Sequence, residues 1–238
     1  MAKSQIIKDL ANGSIDTQTA LKRTKVLLQE FDDERLLEWV NYEIEGYPDD
    51  LEVPEYRRIS GQSFCSYIKG TMSRFLKYSN VPLSLGNMPE NERELFYYAN
   101  MRESIGALKE TIHEYERKGT SIGRIIPDEY YPYIAKCNND MGMVIQSAEI
   151  QLNMPQILNI FPKVENKLLD ILRYLEKQFG NLDELDIDVN NKNEQELKEI
   201  VNHIYVLIYN DQSVTIGNDN EFHNSNIASS IKTENRSS

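Results

Sequence analysis

Apolar positions recur at helical spacing through the first 45 residues. Ile6, Ile7 and Leu10 share one face of a short helix that Gly13 ends. Asp16 stands as N-cap to a second helix, whose stripe is Ala20, Leu21, Leu27, Leu28 and Phe31. A third helix, over about 33–45, carries Leu36, Leu37, Val40 and Ile44. Gly46 follows at the C′ position and Pro48 prevents continuation. From Pro54 to Leu85 the period changes. Ile59, Phe64, Tyr67 and Ile68 sit among Gly, Ser and polar residues, which predicts one or two strands. Asn80, Pro82, Gly86 and Pro89 then mark a loop.

Pro89 suits the first turn of a long helix over about 90–117. Leu95, Tyr98, Met101, Ile105, Leu108 and Ile112 recur every three or four residues along it. Such a seam is of coiled-coil type and is a candidate self-association surface. Residues 127–136 read as a Tyr-rich helix or turn, and 141–152 as a strand with Val144, Ala148, Ile150 and Leu152 among polar neighbours. A helix starts at Asn153 and Pro155, kinks at Pro162, and continues through Val164, Leu168, Ile171, Leu172 and Leu175 to Gly180. Residues 181–193 form an acidic polar linker. After a short helix, Ile204–Tyr209 is β-prone, and Val214 and Ile216 mark another strand. Val214, Ile216, Phe222 and Ile227, with interleaved Asn, are a second candidate self-association segment, because short open-edged strands gain by adding to another chain.

The expected fold is mainly α with a small β component, an α+β class in which a helical bundle body precedes a short C-terminal β segment. The expected divisions are a mostly helical domain over 1–180, the linker over 181–193, a short helix and Asn-rich β oligomerisation segment over 194–230, and a disordered tail over 231–238.

Charge narrows the choice of partner. With 26 basic and 38 acidic residues the net charge is -12, which argues against nucleic acid unless a basic patch is local. The best such patch is Lys69, Arg74 and Lys77 interleaved with Tyr67, Phe75 and Tyr78, a pattern that also describes a solvated sheet face. Cys65 and Cys137 are far apart with no CxxC, which fits a reducing, cytoplasmic compartment. Residues 1–10 lack the apolar core of a signal peptide, and no apolar run is long enough for membrane insertion.

Compact chemical motifs are missing. There is no GxxxxGK[ST], GxGxxG or GxSxG, and His113, His203 and His223 have no HxxxH or HxH spacing. Asp49 and Asp50 fit a turn after Pro48. Asp183, Glu184, Asp186 and Asp188 fit a solvated stretch, with no EF-hand register. No catalytic residue, cofactor or metal is therefore expected. Trp39, the single tryptophan, lies beside the third helix's stripe, where it packs or anchors a partner.

Two blocks carry a resemblance. GSIDTQTALKRTKVLLQEF (13–31) and LLEWVNYEIEGYPDDLEVPEYRRISG (36–61) resemble the AbiTii family in order: a Gly-Ser-Ile-Asp entry, an Ala-Leu-x-Arg helix, a Trp-Val helix, Gly-Tyr-Pro-Asp-Asp and Pro-x-Tyr-Arg. VENKLLDILRYLEKQFG (164–180) is similar to the family's closing helix, so the resemblance spans roughly 4–180. The tail at 213–230 is similar to Asn/Gly-rich β segments of bacterial defence and signalling proteins. The family resemblance implies an abortive-infection or toxin–antitoxin setting and brings no catalytic residues with it. The expected function is a non-enzymatic anti-phage defence module, bacterial or phage-encoded, that acts by protein binding and homo-oligomerisation. Its partner would be a phage component or an adjacent-gene effector. The alternatives are a growth-arresting toxin or cryptic enzyme, and an acidic, antitoxin-like inhibitor of a basic partner.

Overall fold

The computed structural model describes residues 3–71, 73–119 and 122–209. Three helices open the chain: α1 (Gln5–Ala11), α2 (Thr17–Gln29) and α3 (Glu34–Glu45). Asp16 caps α2 by accepting the Thr19 amide at 2.8 Å. Asp33 caps α3 by accepting that of Arg35 at 3.0 Å. Gly46 ends α3 at φ 106°, and a Cβ there would lie 3.0 Å from the Arg102 carbonyl, so only glycine fits without strain.

The middle of the chain is a sheet. Its strands are β1 (Arg58–Thr71), β2 (Arg74–Pro82), β3 (Tyr98–Asn100), β4 (Gly123–Ile125) and β5 (Met143–Leu152). All pairings are antiparallel, in the order β2-β1-β5-β4, and β3 pairs with β1 at Arg58–Ser60. This overturns the helical bundle with a short C-terminal β segment: the protein is α+β with a central five-stranded sheet. The physical reason lies in β1. Its buried positions 59, 63 and 65 are Ile, Ser and Cys, so the alternation is almost invisible in hydrophobicity. A register shift between Cys65 and Tyr67 then breaks the phase. Gly61 sits where a Cβ would meet the Gln151 carbonyl and Ile150 Cγ2 at 2.6 Å, so β1 and β5 approach closely there.

The long helix over 90–117 is also replaced. α4 (Glu90–Arg93) and a 3-10 turn (Glu94–Phe96) lead into β3, and only then does α5 (Ile105–Lys118) begin, capped by Ser104 accepting the Ala107 amide at 3.2 Å. Extended pairing wins over 97–101, where Ile59 faces Ala99 and the Met101 amide donates to the Arg57 carbonyl at 2.8 Å. The three-residue spacing of Leu95, Tyr98 and Met101 imitates a helical stripe, but pairing with β1 decides the path here and puts Leu95 and Tyr98 in solvent and Met101 in the core, which is why periodicity misled. Short α6 (Tyr131–Cys137) and α7 (Met154–Leu158) flank β5.

α8 (Ile160–Phe179) is the central helix. It buries Ile160, Val164, Leu168, Ile171, Leu172 and Leu175, and packs against α1, α2, α7 and α9 (Glu194–Tyr209). Pro162 lies in its first turn, where a missing N–H costs nothing, so the chain breaks at Asn159 and not at the proline. The acidic stretch between α8 and α9 is docked: Leu182 and Ile187 are buried, and Asp183 accepts the Gln5 amide at 2.5 Å. Ile204–Tyr209 is helical, not extended. Ile200, Ile204 and Ile208 recur at four-residue spacing on α9's buried face. Among the described residues no helix is long and apolar enough to cross a membrane. Val214, Ile216, Phe222 and Ile227, the Asn-rich segment around them and the tail over 231–238 lie outside the described residues.

Candidate protein-binding groove

The residues after α3 build a closed polar network. Glu43 faces inward in the last turn of α3, and Gly46 turns the chain so that Tyr47 returns to it. A 3-10 turn at Glu55–Arg57 brings in Tyr56 and Arg57. The Arg57 Nη2–Glu43 Oε2 distance is 2.5 Å, and neither side chain is exposed to solvent. Glu43 Oε1 also accepts from the hydroxyls of Tyr47 and Tyr56, each at 2.7 Å, and from Arg57 Nε at 3.1 Å. Trp39 Nε1 donates to the Tyr56 hydroxyl at 2.9 Å. Arg57 Nη1 donates to the carbonyls of Met101 and Glu103 at 2.9 and 2.8 Å.

A buried ion pair is tolerable only when its remaining donors and acceptors are satisfied, and here they are. Burial works against the Arg57 charge, but the Glu43 carboxylate and its hydrogen bonds keep the guanidinium above its usual pKa. Burial and the same carboxylate push the Tyr47 and Tyr56 hydroxyls well above the ordinary range. The Glu43 and Arg57 side chains themselves have no solvent access, whereas Tyr56 is partly exposed and Trp39 and Tyr47 line a cavity of about 730 Å³. The effect of the network is positional: it fixes Arg57, immediately before β1, and the segment after β3 against α3.

Those two fixed points frame a groove of about 790 Å³. Arg58 stacks on the Tyr98 ring at 4.4 Å and pairs with Glu94 at 2.6 Å. Ile126 and Ile150 form a buried floor. The walls hold large apolar side chains in solvent: Leu95 is 61% exposed, Ile125 is 78% exposed, and Tyr98 is also exposed. β4 runs along one side and is a terminal strand of the sheet. The Ile122 carbonyl and the Ile126 amide bond to β5, so ladder alternation turns the amide groups of Gly123 and Ile125 outward, unpaired among the described residues. An edge strand beside apolar pockets is the geometry that accepts an added peptide strand.

The residues singled out from sequence divide. Leu95 and Tyr98 meet in the groove, whereas Met101, Ile105, Leu108 and Ile112 are buried in the core. Trp39 is buried within the network and is no exposed anchor. Asp49 and Asp50 are exposed, with Arg102 Nη1 bonding the Pro48 and Leu51 carbonyls beside them. His203 stacks on Tyr174 at 4.1 Å, and burial lowers its pKa. His113 is exposed and lines a cavity of about 420 Å³ with Lys109 and Phe161. His223 lies outside the described residues. Among them, no three His, Cys, Asp or Glu side chains converge as a metal-binding group. Arg58 and Ile125 went unnoticed in the sequence. The one signal was the run Gly123-Arg124-Ile125-Ile126 shortly after the helix-closing Gly119.

The AbiTii family model matches residues 4–201, a span that includes the whole network and the whole groove. No curated protein and no solved structure matches the chain. The matched region takes in most of the described fold, and the chain belongs to the AbiTii family, whose name points to abortive infection as an anti-phage defence.

Proposed function

We propose that this protein serves abortive infection by binding a protein partner, and that the partner adds an extended segment to the edge of β4. The observation that carries this reading is the unpaired β4 edge with exposed Ile125, on a groove whose opposite wall carries exposed Leu95 and Tyr98. Main-chain pairing supplies affinity, and the apolar walls select side chains at alternate positions. Binding in place of catalysis is supported by the Glu43–Arg57 ion pair lying out of reach of solvent. The cytoplasm suits two cysteines that form no disulfide.

The test is plaque formation by phages that the intact protein restricts. Leu95→Asp and Ile125→Asp place charge in the groove without touching the core. Each is expected to cut protection at least tenfold while circular dichroism and melting temperature stay near the parent's. Full protection by both variants sinks the reading.

A further inference from the structure

The sheet has two open ends, and they differ in chemistry. One is β4. The other is β2, terminal on the opposite side and exposed along nearly its whole length. From Tyr56 to Pro89 the chain contains no Asp or Glu, although it carries 38 acidic residues in all. The basic residues of this stretch are Arg57, Arg58, Lys69, Arg74 and Lys77. The first three are paired, with Glu43, Glu94 and, at 2.6 Å, Asp140. Arg74 and Lys77 form no ion pair among the described residues. Between them Phe75 is 58% and Leu76 65% exposed. The β1–β2 hairpin is therefore an apolar, cationic projection from an acidic body.

The groove is its complement. Its rim carries Glu52, Glu55 and Glu94, with Asp128 and Glu129 just beyond lining residue Pro127. Two arginines stand against these, Arg58 already held by Glu94, and Arg124. We infer that β2 of one copy adds to the open edge of β4 of a second copy, head to tail, with Phe75 or Leu76 against Ile125 at that edge of the groove. This rests on the reading of the groove as a protein-binding site and names its occupant. The charge of the whole chain decides between partners. A nucleic acid or an anionic membrane approaching the hairpin also meets a body of net charge -12, whereas a second copy offers that acidity as attraction. Lysine on an edge strand ordinarily guards against strand pairing, and here the acidic rim answers Lys77. The two surfaces are different patches, so the contact is heterologous. It closes into a ring or continues as a filament.

Light scattering coupled to size-exclusion chromatography on the full chain tests this. The parent is expected to gain mass with concentration. Leu76→Asp, which spoils the hairpin, and Ile125→Asp, which spoils the groove, are each expected to be folded monomers with association weakened at least tenfold. Mixed one to one, they are expected to give a dimer that grows no further, because one intact hairpin meets one intact groove. A merely structural role for either residue does not produce rescue on mixing. The inference is overturned by a monomeric parent, by variants that assemble like the parent, or by a mixture that stays monomeric. It is also overturned if a monomeric chain shifts a labelled DNA duplex or sediments with anionic vesicles through Leu76. Should Ile125→Asp abolish phage protection while the parent stays monomeric, only this inference fails. Should it and Leu95→Asp both leave protection intact, the groove reading itself fails.

Discussion

Arg57 and Glu43 hold opposite charges with no solvent contact, and the bonds from Arg57 to the Met101 and Glu103 carbonyls tie this pair to a segment far away in sequence. Arg57→Met leaves the Glu43 carboxylate buried without a counter-charge. It should cost about 3–5 kcal/mol, read as a lower urea midpoint. Glu43→Gln on that background should recover part of the loss, because the amide oxygen still accepts from Tyr47 and Tyr56. A second residue sets the response to acid. Burial works against the Glu176 charge, but Lys3 Nζ at 2.6 Å and the amide and hydroxyl of Ser4 at 2.6 and 2.8 Å prevail. They lower the carboxyl pKa from 4.5 to about 2. A folded-state pKa below the unfolded one stabilises fully above about pH 4.5, and the contribution is lost as pH falls toward about 2. Glu176→Gln should therefore destabilise at pH 7 and flatten the loss of stability between pH 4.5 and 2, measured by urea titration across that range. The residues of the network were all visible in the motif Trp39 to Arg57. That they form one closed cluster was not, because nothing in their spacing says which of them face inward.

At the level of elements, helices with strong stripes and caps were legible. α2, α3 and α8 fall where periodicity, Asp16 and Gly46 place them. β5 was legible too, since Ala148, Ile150 and Leu152 alternate cleanly. What misled was context. β2 has little buried surface to impose a period, and β3 exists because β1 lies beside it. α9 shows tertiary packing overriding β-propensity: Ile204 and Ile208 are β-branched yet helical because α8 and α3 lie against that face. Lys167, on α8, donates to the Ile208 carbonyl at 2.7 Å, and its ammonium lies 5.8 Å from the Tyr56 ring. Lys167→Met removes the charged donor at α9's last turn. It should cost about 1.5–3 kcal/mol, with α9 amides showing faster hydrogen exchange than those of β1 or β5. Half of the groove was nominated as Leu95 and Tyr98, but for a helical seam. The other half, Arg58 and β4, depends on strand pairing that no local pattern reports.

For the whole molecule the sheet settles what belongs together. β1 is the only strand that pairs with three others among the described residues, so helices on either side of it in sequence are joined through it. Its partner β5 is distant in sequence, with Gly61 opposite Leu152. α1 and α2 wait still longer, since they pack against α8. On the ribosome, at roughly 5–20 residues per second, the first hundred residues emerge with β1's inner edge unmatched and the early helices without their central neighbour. The fold then closes late and nearly at once, when the stretch from β5 through α8 clears the exit tunnel. Until that moment the nascent chain exposes a long open strand, and its demand on chaperones is greatest in the seconds before α8 emerges.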